Sequence, residues 1–151
     1  MFYENFIIGS LFESSDQRLV TSEDILKFAE LTGDTSQLHI DEEFAKKTRF
    51  EGTIAHGLFT LGIAVGQWYS MNLARDSIIA FVGIDNLSFK SPVRPGDRIH
   101  LVSRTFSKRE SKSNPEAGLV TFEDQMLNQN GTVVLEYQRM LLLRKKMRGA
   151  T

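Results

Sequence analysis

Two residues suited to acid–base chemistry stand five positions apart in the stretch GDTSQLHIDEEF, which runs from Gly33 to Phe44. They are Asp34 and His39. A carboxylate and an imidazole can hold one water between them, remove a proton from it and deliver a proton elsewhere. A lone Asp is more often a cap or turn residue, and a lone His is more often structural. The pair therefore predicts chemistry only if the fold brings the two side chains together.

The segments on either side of this stretch are typical of short helices. TSEDILKFAELTG offers Thr21 or Ser22 as N-cap, apolar residues at helical spacing and Gly33 as a stop signal. Asp41 can cap a second short helix, EEFAKKTRF, which has acids in its first turn and lysines near its end. Helices on both sides would fix the two ends of the loop, so we expect the carboxylate and the imidazole to converge.

A long apolar run follows, from Gly52 to Ala74, without Asp, Glu, Lys or Arg. One interpretation is a membrane span, because Gly62 and Gly66 form the small-xxx-small pair of packed membrane helices. The other is a helix buried in the core of a soluble domain. Polar side chains dilute the run and favour the buried helix, among them His56, Gln67, Ser70 and Asn72. In that case the two glycines are expected where a sheet backbone approaches closely.

Strand character begins at Ser77 and continues in four runs: SIIAFVGIDNLSFKSPV, DRIHLVSRTFSKRE, GLVTFEDQMLNQ and TVVLEYQRMLLLRKK. Turn signals lie at 92–97 (PVRPGD) and 128–131 (NQNG). Long strands joined by short turns predict an antiparallel sheet. We therefore expect an α+β fold with the sheet wrapped around the central apolar helix, in a single domain over residues 1–151 that ends in a frayed tail, KKMRGAT.

Composition excludes several kinds of protein. The formal net charge of −1 provides no overall attraction to nucleic acid or to an anionic membrane. The absence of cysteine excludes disulfides, thiolate catalysis and cysteine metal sites. The N-terminus has no basic region and too short an apolar run for a signal peptide, so we expect a cytoplasmic protein. The three histidines, His39, His56 and His100, lack the spacing of metal ligands, and we expect no metal.

Three motifs in order, LTGDTSQLHIDEEFA, FEGTIAHGLF and SFKSPVRPGD, resemble the MaoC-like, (R)-specific enoyl-CoA hydratase family over nearly the whole chain. The resemblance implies a hot-dog fold and reversible syn addition of water to a trans-2-enoyl thioester. It places Asp34 and His39 at the positions of the family's catalytic pair. It places Gly57 at the glycine whose backbone N–H binds the thioester oxygen. Ser36 and Gln37 stand where the family usually has Asn and Pro.

The resemblance also implies a substrate and an assembly. An acyl-CoA thioester is the expected substrate, and no further cofactor is expected because coenzyme A is part of that substrate. A homodimer or a dimer of dimers is expected, without nucleic-acid or membrane partners. The candidate substrate-binding residues are Ser36, Ala55, His56, Leu58, Lys90 and Arg94. The two cations among them can meet coenzyme A phosphates, and His56 can instead hydrogen-bond locally to shape the start of the central helix.

The chemistry can be assessed without the family name. Hydration of an unsaturated thioester needs a base for water, an acid for Cα and stabilisation of enolate charge on the carbonyl oxygen. The acid–imidazole pair supplies the first two, and the unpaired N–H groups of a helix N-terminus supply the third. Two alternatives remain. One is a non-catalytic acyl-CoA-binding hot-dog protein. The other is a hot-dog thioesterase or acyl-carrier-protein dehydratase, which commonly places an acid on the central helix, where this chain has none from Gly57 to Ala74.

Overall fold

A computed structural model describes residues 1–147 and contains, within them, six β-strands and four α-helices. The strands are β1 (Leu11–Glu13), β2 (Arg18–Leu19), β3 (Ile78–Phe89), β4 (Arg98–Glu110), β5 (Ala117–Leu127) and β6 (Val133–Arg144). The helices are α1 (Ser22–Thr32), α2 (Gln37–Ile40), α3 (Glu42–Ala45) and α4 (Gly57–Ser70). The four long strands are those predicted from the sequence, whereas β1 and β2 were not predicted.

All strands pair antiparallel, in the order β1-β4-β5-β6-β3, with β2 added on β4. The turn at 128–131 joins β5 to β6, and Gly131 adopts the left-handed φ of 74° that this turn requires. Within this sheet β3 pairs only with β6, and its register shifts three times along its length. One long edge of β3 therefore has no partner strand in the described chain, and that edge is bent.

Helix α4 packs across the inner face of the sheet, against β4, β5 and β6. Trp68 of α4 is 1% exposed, and strand residues such as Leu101, Phe122 and Leu141 are completely buried beneath the helix. The opposite face of α4 is open, and nothing lies within 4 Å of a Cβ placed on Gly62 or Gly66. The expectation that these glycines mark a close sheet backbone is therefore wrong. The helix also stops at Ser70 rather than Ala74, because turns follow and Asn72 takes a left-handed φ of 54°.

A buried ion pair lies under the helix. The Arg139 Nε on β6 donates to Asp124 on β5 at 2.7 Å, and both side chains have no exposed surface. Ser103 Oγ on β4 donates to the same carboxylate at 2.5 Å, and the guanidinium carbon of Arg139 lies 4.4 Å from the centre of the Trp68 ring. Burial, with a smaller contribution from Asp124, raises the pKa of the Tyr137 hydroxyl in the same layer. The core of the sheet is thus partly polar, and three strands are joined by one carboxylate.

The N-terminal helices follow their local signals at the caps. Thr21 Oγ1 accepts the N–H of Asp24 at 3.1 Å, and the Asp24 carboxylate accepts the N–H of Thr21 at 3.1 Å, which is a complete capping box. Gly33 ends α1 with a left-handed φ of 78°. Helix α3 is shorter than the predicted 42–50, because Thr48 Oγ1 donates to the Ala45 carbonyl at 2.7 Å and turns replace the helix.

Two observations concern the chain ends and the membrane interpretation. The backbone N–H of Lys145 donates to the Glu116 carbonyl at 2.8 Å, and that of Lys146 to the Glu4 carboxylate at 3.0 Å. The start of the predicted frayed tail is therefore held, and residues 148–151 lie outside the described residues.

Across residues 1–147, no helix has the length and apolar character needed to cross a membrane.

Candidate active site

The loop between α1 and α3 brings the predicted acid and imidazole together. Asp34 follows the left-handed Gly33, and His39 lies on the single turn of α2. Asp34 is exposed and His39 is half-buried. One side-chain donor atom from each of Asp34, His39 and His56 lies within 4.8 Å of the others. A single water can therefore contact both the Asp34 carboxylate and the His39 imidazole, two groups that can exchange protons with it.

The segment 53–55 fastens this loop to the rest of the fold. Its three backbone N–H groups donate to α3, to α2 and to the turn between β3 and β4: Thr53 to Glu42 Oε2 at 3.0 Å, Ile54 to the Leu38 carbonyl at 3.4 Å, and Ala55 to the Val93 carbonyl at 2.7 Å. The bond from Thr53 also lowers the pKa of the Glu42 carboxyl below its ordinary value. As a result α2 and α3 are held beside the first residues of α4.

Each imidazole uses one ring nitrogen on a backbone carbonyl. His39 Nδ1 lies 2.7 Å from the Ile54 oxygen, and His56 Nε2 lies 2.9 Å from the Asp34 oxygen. Because a carbonyl oxygen only accepts, these two nitrogens carry the protons, and a neutral His39 keeps its lone pair on Nε2. The two rings stack with centroids 3.9 Å apart and an interplanar angle of 31°. The proton acceptor of His39 is thus defined by a bond to the segment that precedes α4.

Gly57 is the first residue of α4, and its N–H is free. Among residues 1–147 no backbone carbonyl accepts this N–H, and His56, the N-cap, makes no side-chain capping bond. A Cβ placed on Gly57 would lie 2.4 Å from Cε1 of Phe89 and 2.6 Å from its Cζ, so a side chain cannot fit there without displacing the ring. An unpaired N–H at the positive end of a helix is suited to bind an oxygen that gains negative charge.

The other predicted site residues fall into three groups. Ser36 and Leu58 are exposed at the same end of α4, and Leu58 is 61% exposed. Ala55 and His56 are 6% and 2% exposed, so their side chains present almost no surface to a ligand. Lys90 Nζ lies 3.1 Å from Glu136, whereas Arg94 Nη1 lies 3.6 Å from the place a Cβ on Gly52 would occupy. The roles of all six in substrate binding remain predictions.

The donor spacing of the acid and the two imidazoles also has the form of a metal site. Both imidazoles, however, give one nitrogen to a carbonyl, which leaves each of them a single nitrogen for any ligand. His100 does not belong to this cluster, because it lies on β4 with its Nε2 3.2 Å from the Glu13 carboxylate.

Three contacts at this site were not predicted from the sequence. They are the Ile54 carbonyl that orients His39, the Phe89 ring against Gly57, and the Phe28 ring 4.8 Å from the His56 ring. Phe89 belongs to the motif SFKSPVRPGD, so the sequence did offer a reason to place it near the site. Nothing in the sequence singles out the Ile54 carbonyl, because every residue has a backbone carbonyl.

Comparison with known proteins identifies the family of this chain. The family model described as "MaoC like domain" matches residues 5–125. An uncharacterized protein of Bacillus subtilis, YdeM, is 31% identical over 142 residues, which cover 94% of this chain and 98% of that protein.

Solved structures extend the likeness to the fold. The monoamine oxidase regulatory protein from Archaeoglobus fulgius matches with a TM-score of 0.91 and 38% identity, covering 97% of this chain and 95% of that one. An (R)-hydratase from A. caviae involved in PHA biosynthesis matches with a TM-score of 0.75 and 25% identity, covering 91% of this chain and 97% of that one. The predicted hot-dog fold, with an antiparallel sheet around the central helix, is confirmed. The chain belongs to the MaoC-like dehydratase family.

Proposed function

We propose that this protein is an (R)-specific enoyl-CoA hydratase, equally a 3-hydroxyacyl-CoA dehydratase, which adds water reversibly and syn to a trans-2-enoyl thioester. One observation carries the proposal. An exposed carboxylate and an oriented imidazole, Asp34 and His39, lie together with His56, the residue that immediately precedes the free N–H of Gly57. The likeness to an (R)-hydratase supports the stereochemical part. A thioester substrate agrees with the cytoplasmic location expected from the sequence.

In the proposed reaction the Asp34–His39 pair moves the protons and the Gly57 N–H stabilises the charge on the thioester oxygen. The Asp34–His39 pair holds one water and takes a proton from it as the hydroxyl oxygen bonds to Cβ of the substrate. The C=C electron pair moves toward the thioester carbonyl, whose oxygen becomes negative and accepts the N–H of Gly57. The pair then returns a proton to Cα, so that one water has been added in total. The hydroxyl comes from the water that the pair holds, and the proton comes from the pair itself. Because both are delivered from the same side of the substrate, both arrive on one face.

The pair also has a physical reason to work as a unit. His39 Nδ1–H is committed to the Ile54 carbonyl, so only Nε2 can accept a proton from the water. Within residues 1–147, the Asp34 carboxylate accepts one hydrogen bond, from the N–H of Ser36 at 3.4 Å, and is otherwise open to solvent. One group is fixed in orientation and the other has free oxygen lone pairs, which allows a single water to contact both.

The test is turnover of crotonyl-CoA, followed as loss of the enoyl thioester absorbance. Asp34→Asn keeps shape but removes the basic oxygen, and His39→Gln removes the imidazole. Each should lower kcat by roughly a hundredfold to ten-thousandfold while the protein stays folded. Asp76→Asn and His100→Gln make the same chemical changes away from this loop, and should leave the rate unchanged.

The double variant decides whether the two residues share one transition state. If they do, Asp34→Asn with His39→Gln should lose far less than the product of the two single losses. Multiplicative losses, or unimpaired hydration by Asp34→Asn, would rule out the pair. A wild-type protein that binds crotonyl-CoA without turning it over would instead support the non-catalytic acyl-CoA-binding function. Hydrolysis to free coenzyme A would support a thioesterase.

A further inference from the structure

His56 makes three contacts around the proposed site, although its side chain is only 2% exposed. Its Nε2–H donates to the backbone oxygen of Asp34, 22 positions earlier in the chain, at 2.9 Å. Its ring lies 3.9 Å from the ring of His39 and 4.8 Å from the ring of Phe28. It is also the residue immediately before Gly57, at the N-cap of α4. One buried imidazole therefore touches the backbone of Asp34 and the ring of His39.

The backbone of Asp34 has few other restraints. Its N–H donates to Thr32 Oγ1 at 3.3 Å. The N–H of the next residue, Thr35, donates to the carbonyl of Gly33 at 3.0 Å. The first bond returns to the last residue of α1 and the second stays within the loop, so neither defines where Asp34 lies relative to α4. The bond from His56 joins the backbone of Asp34 directly to the residue that precedes α4, and so fixes the base of the carboxylate relative to the N–H of Gly57.

The ring contact acts on the other member of the pair. His39 is held at Nδ1 by the Ile54 carbonyl, which leaves rotation of the ring about that bond as its remaining freedom. The stacked ring of His56 restricts this rotation from one side, and Phe28 supports His56. A displacement of about 1 Å in a reacting group can cost about a hundredfold in rate. Orientation by a buried neighbour is therefore large enough to measure.

We propose that His56 is a positioning residue, whose buried imidazole holds the backbone of Asp34 and the ring of His39 in register with the Gly57 N–H without touching the substrate. The expected loss of kcat rests on the proposed hydration function, whereas the positions that His56 gives to Asp34 and His39 do not. It assigns His56 a different role from the substrate contact expected from the sequence.

Two substitutions separate the hydrogen bond from the ring. His56→Gln keeps an N–H donor that can reach the Asp34 oxygen, and His56→Phe keeps a stacking ring without a donor. On crotonyl-CoA, His56→Phe should lose about tenfold to a hundredfold in kcat, with little change in KM, because positioning and not binding is impaired. His56→Gln restores the hydrogen bond but removes the ring, so its kcat should be higher than that of His56→Phe and still lower than wild type. His100→Phe, the same change at the histidine beside Glu13, should behave as wild type.

A readout without substrate keeps the test independent of the reaction. Nitrogen NMR of the wild-type imidazoles should show the proton of His56 on Nε2, and amide hydrogen exchange at residues 34–36 should accelerate in His56→Phe but not in His56→Gln. A proton on Nδ1 of His56, unchanged exchange in His56→Phe, or wild-type kcat in that variant would each overturn the inference. If wild type fails to hydrate crotonyl-CoA, the proposed function fails, and the NMR and exchange results alone decide the role of His56.

Discussion

Gly57 gives the sharpest prediction, because the structure defines what a side chain there would meet. A Cβ at this position would lie 2.4, 2.6 and 2.8 Å from three ring atoms of Phe89. Carbon atoms in favourable contact are about 3.5–4.0 Å apart, so the ring must move by about 1 Å or more. Phe89 is 54% exposed, which leaves it room to turn away. We therefore expect Gly57→Ala to fold, with a small loss of stability and a displaced ring beside the helix N-terminus.

The clash must be removed before the N–H itself can be tested, because Pro and Ala both carry a Cβ. In a Phe89→Ala background, Gly57→Ala keeps the N–H and Gly57→Pro removes it. Proline is well tolerated at the first residue of a helix. His56 already has φ −59° and ψ 137°, the conformation that a residue before proline adopts. The two double variants should therefore be matched in fold and differ in one hydrogen-bond donor.

The assay is kcat on crotonyl-CoA, with thermal unfolding as the measure of fold. Loss of one oxyanion donor typically lowers kcat by about a hundredfold to a thousandfold. The double variant with Gly57→Pro should be lower than that with Gly57→Ala by this factor, and their melting temperatures should agree. Equal rates in the two double variants would show that the Gly57 N–H does not bind the thioester oxygen.

Other parts of the fold make predictions of their own. Thr21→Ala should lower the free energy of unfolding by about 1 kcal/mol in denaturant titration, whereas Thr21→Ser should be close to wild type. Burial alone would raise the pKa of Asp24, but hydrogen bonds from Thr21 and Arg18 lower it overall from 3.8, so the folded state binds this proton more weakly than the unfolded chain. The ionised Asp24 carboxylate therefore stabilises the folded state at neutral pH, and this stabilisation is lost as the pH falls below the ordinary pKa of Asp. Asp24→Asn should make the decline of stability in acid less steep. Asp124→Ala leaves Arg139 as an unpaired buried charge and should cost about 3–5 kcal/mol; a melting temperature equal to wild type would contradict this, and Asp124→Leu with Arg139→Met should recover much of the loss. Light scattering at micromolar concentration should show a homodimer or a dimer of dimers, and Val82→Lys on the unpaired edge strand should weaken it; a monomeric wild type would contradict the expected assembly.

Sequence patterns predicted those features of the site that depend on local chemistry. Thr21 begins α1 and Gly33 ends it, because an N-cap and a left-handed C-cap both act within one turn of backbone. Asp41 caps α3, as expected, by accepting the N–H of Phe44 at 3.0 Å. With both ends of the loop defined, the approach of Asp34 and His39 could be predicted before any coordinates.

Features that depend on contacts across space could not be predicted. The turn after Ala45 follows from one side-chain bond of Thr48, which competes with the helix although the residues around it favour helix. The open face at Gly62 and Gly66 depends on which side of α4 meets the sheet, and a helix apolar on most sides does not specify this. The bond from His56 to Asp34 joins a side chain to a carbonyl 22 positions away, and no periodicity encodes such a pair.

The bends of β3 bear on the tendency of an unpaired strand toward amyloid-like growth. The strand carries several exposed apolar side chains, namely Ile79, Phe81, Val82, Leu87 and Phe89. A flat strand of this kind would accept any extended chain and could extend without limit. Its register instead shifts between Ile78 and Ala80, between Phe81 and Gly83, and between Asp85 and Ser88, so no long regular ladder is presented. Only a strand with matching bends can follow this edge, which favours a closed assembly over a fibre.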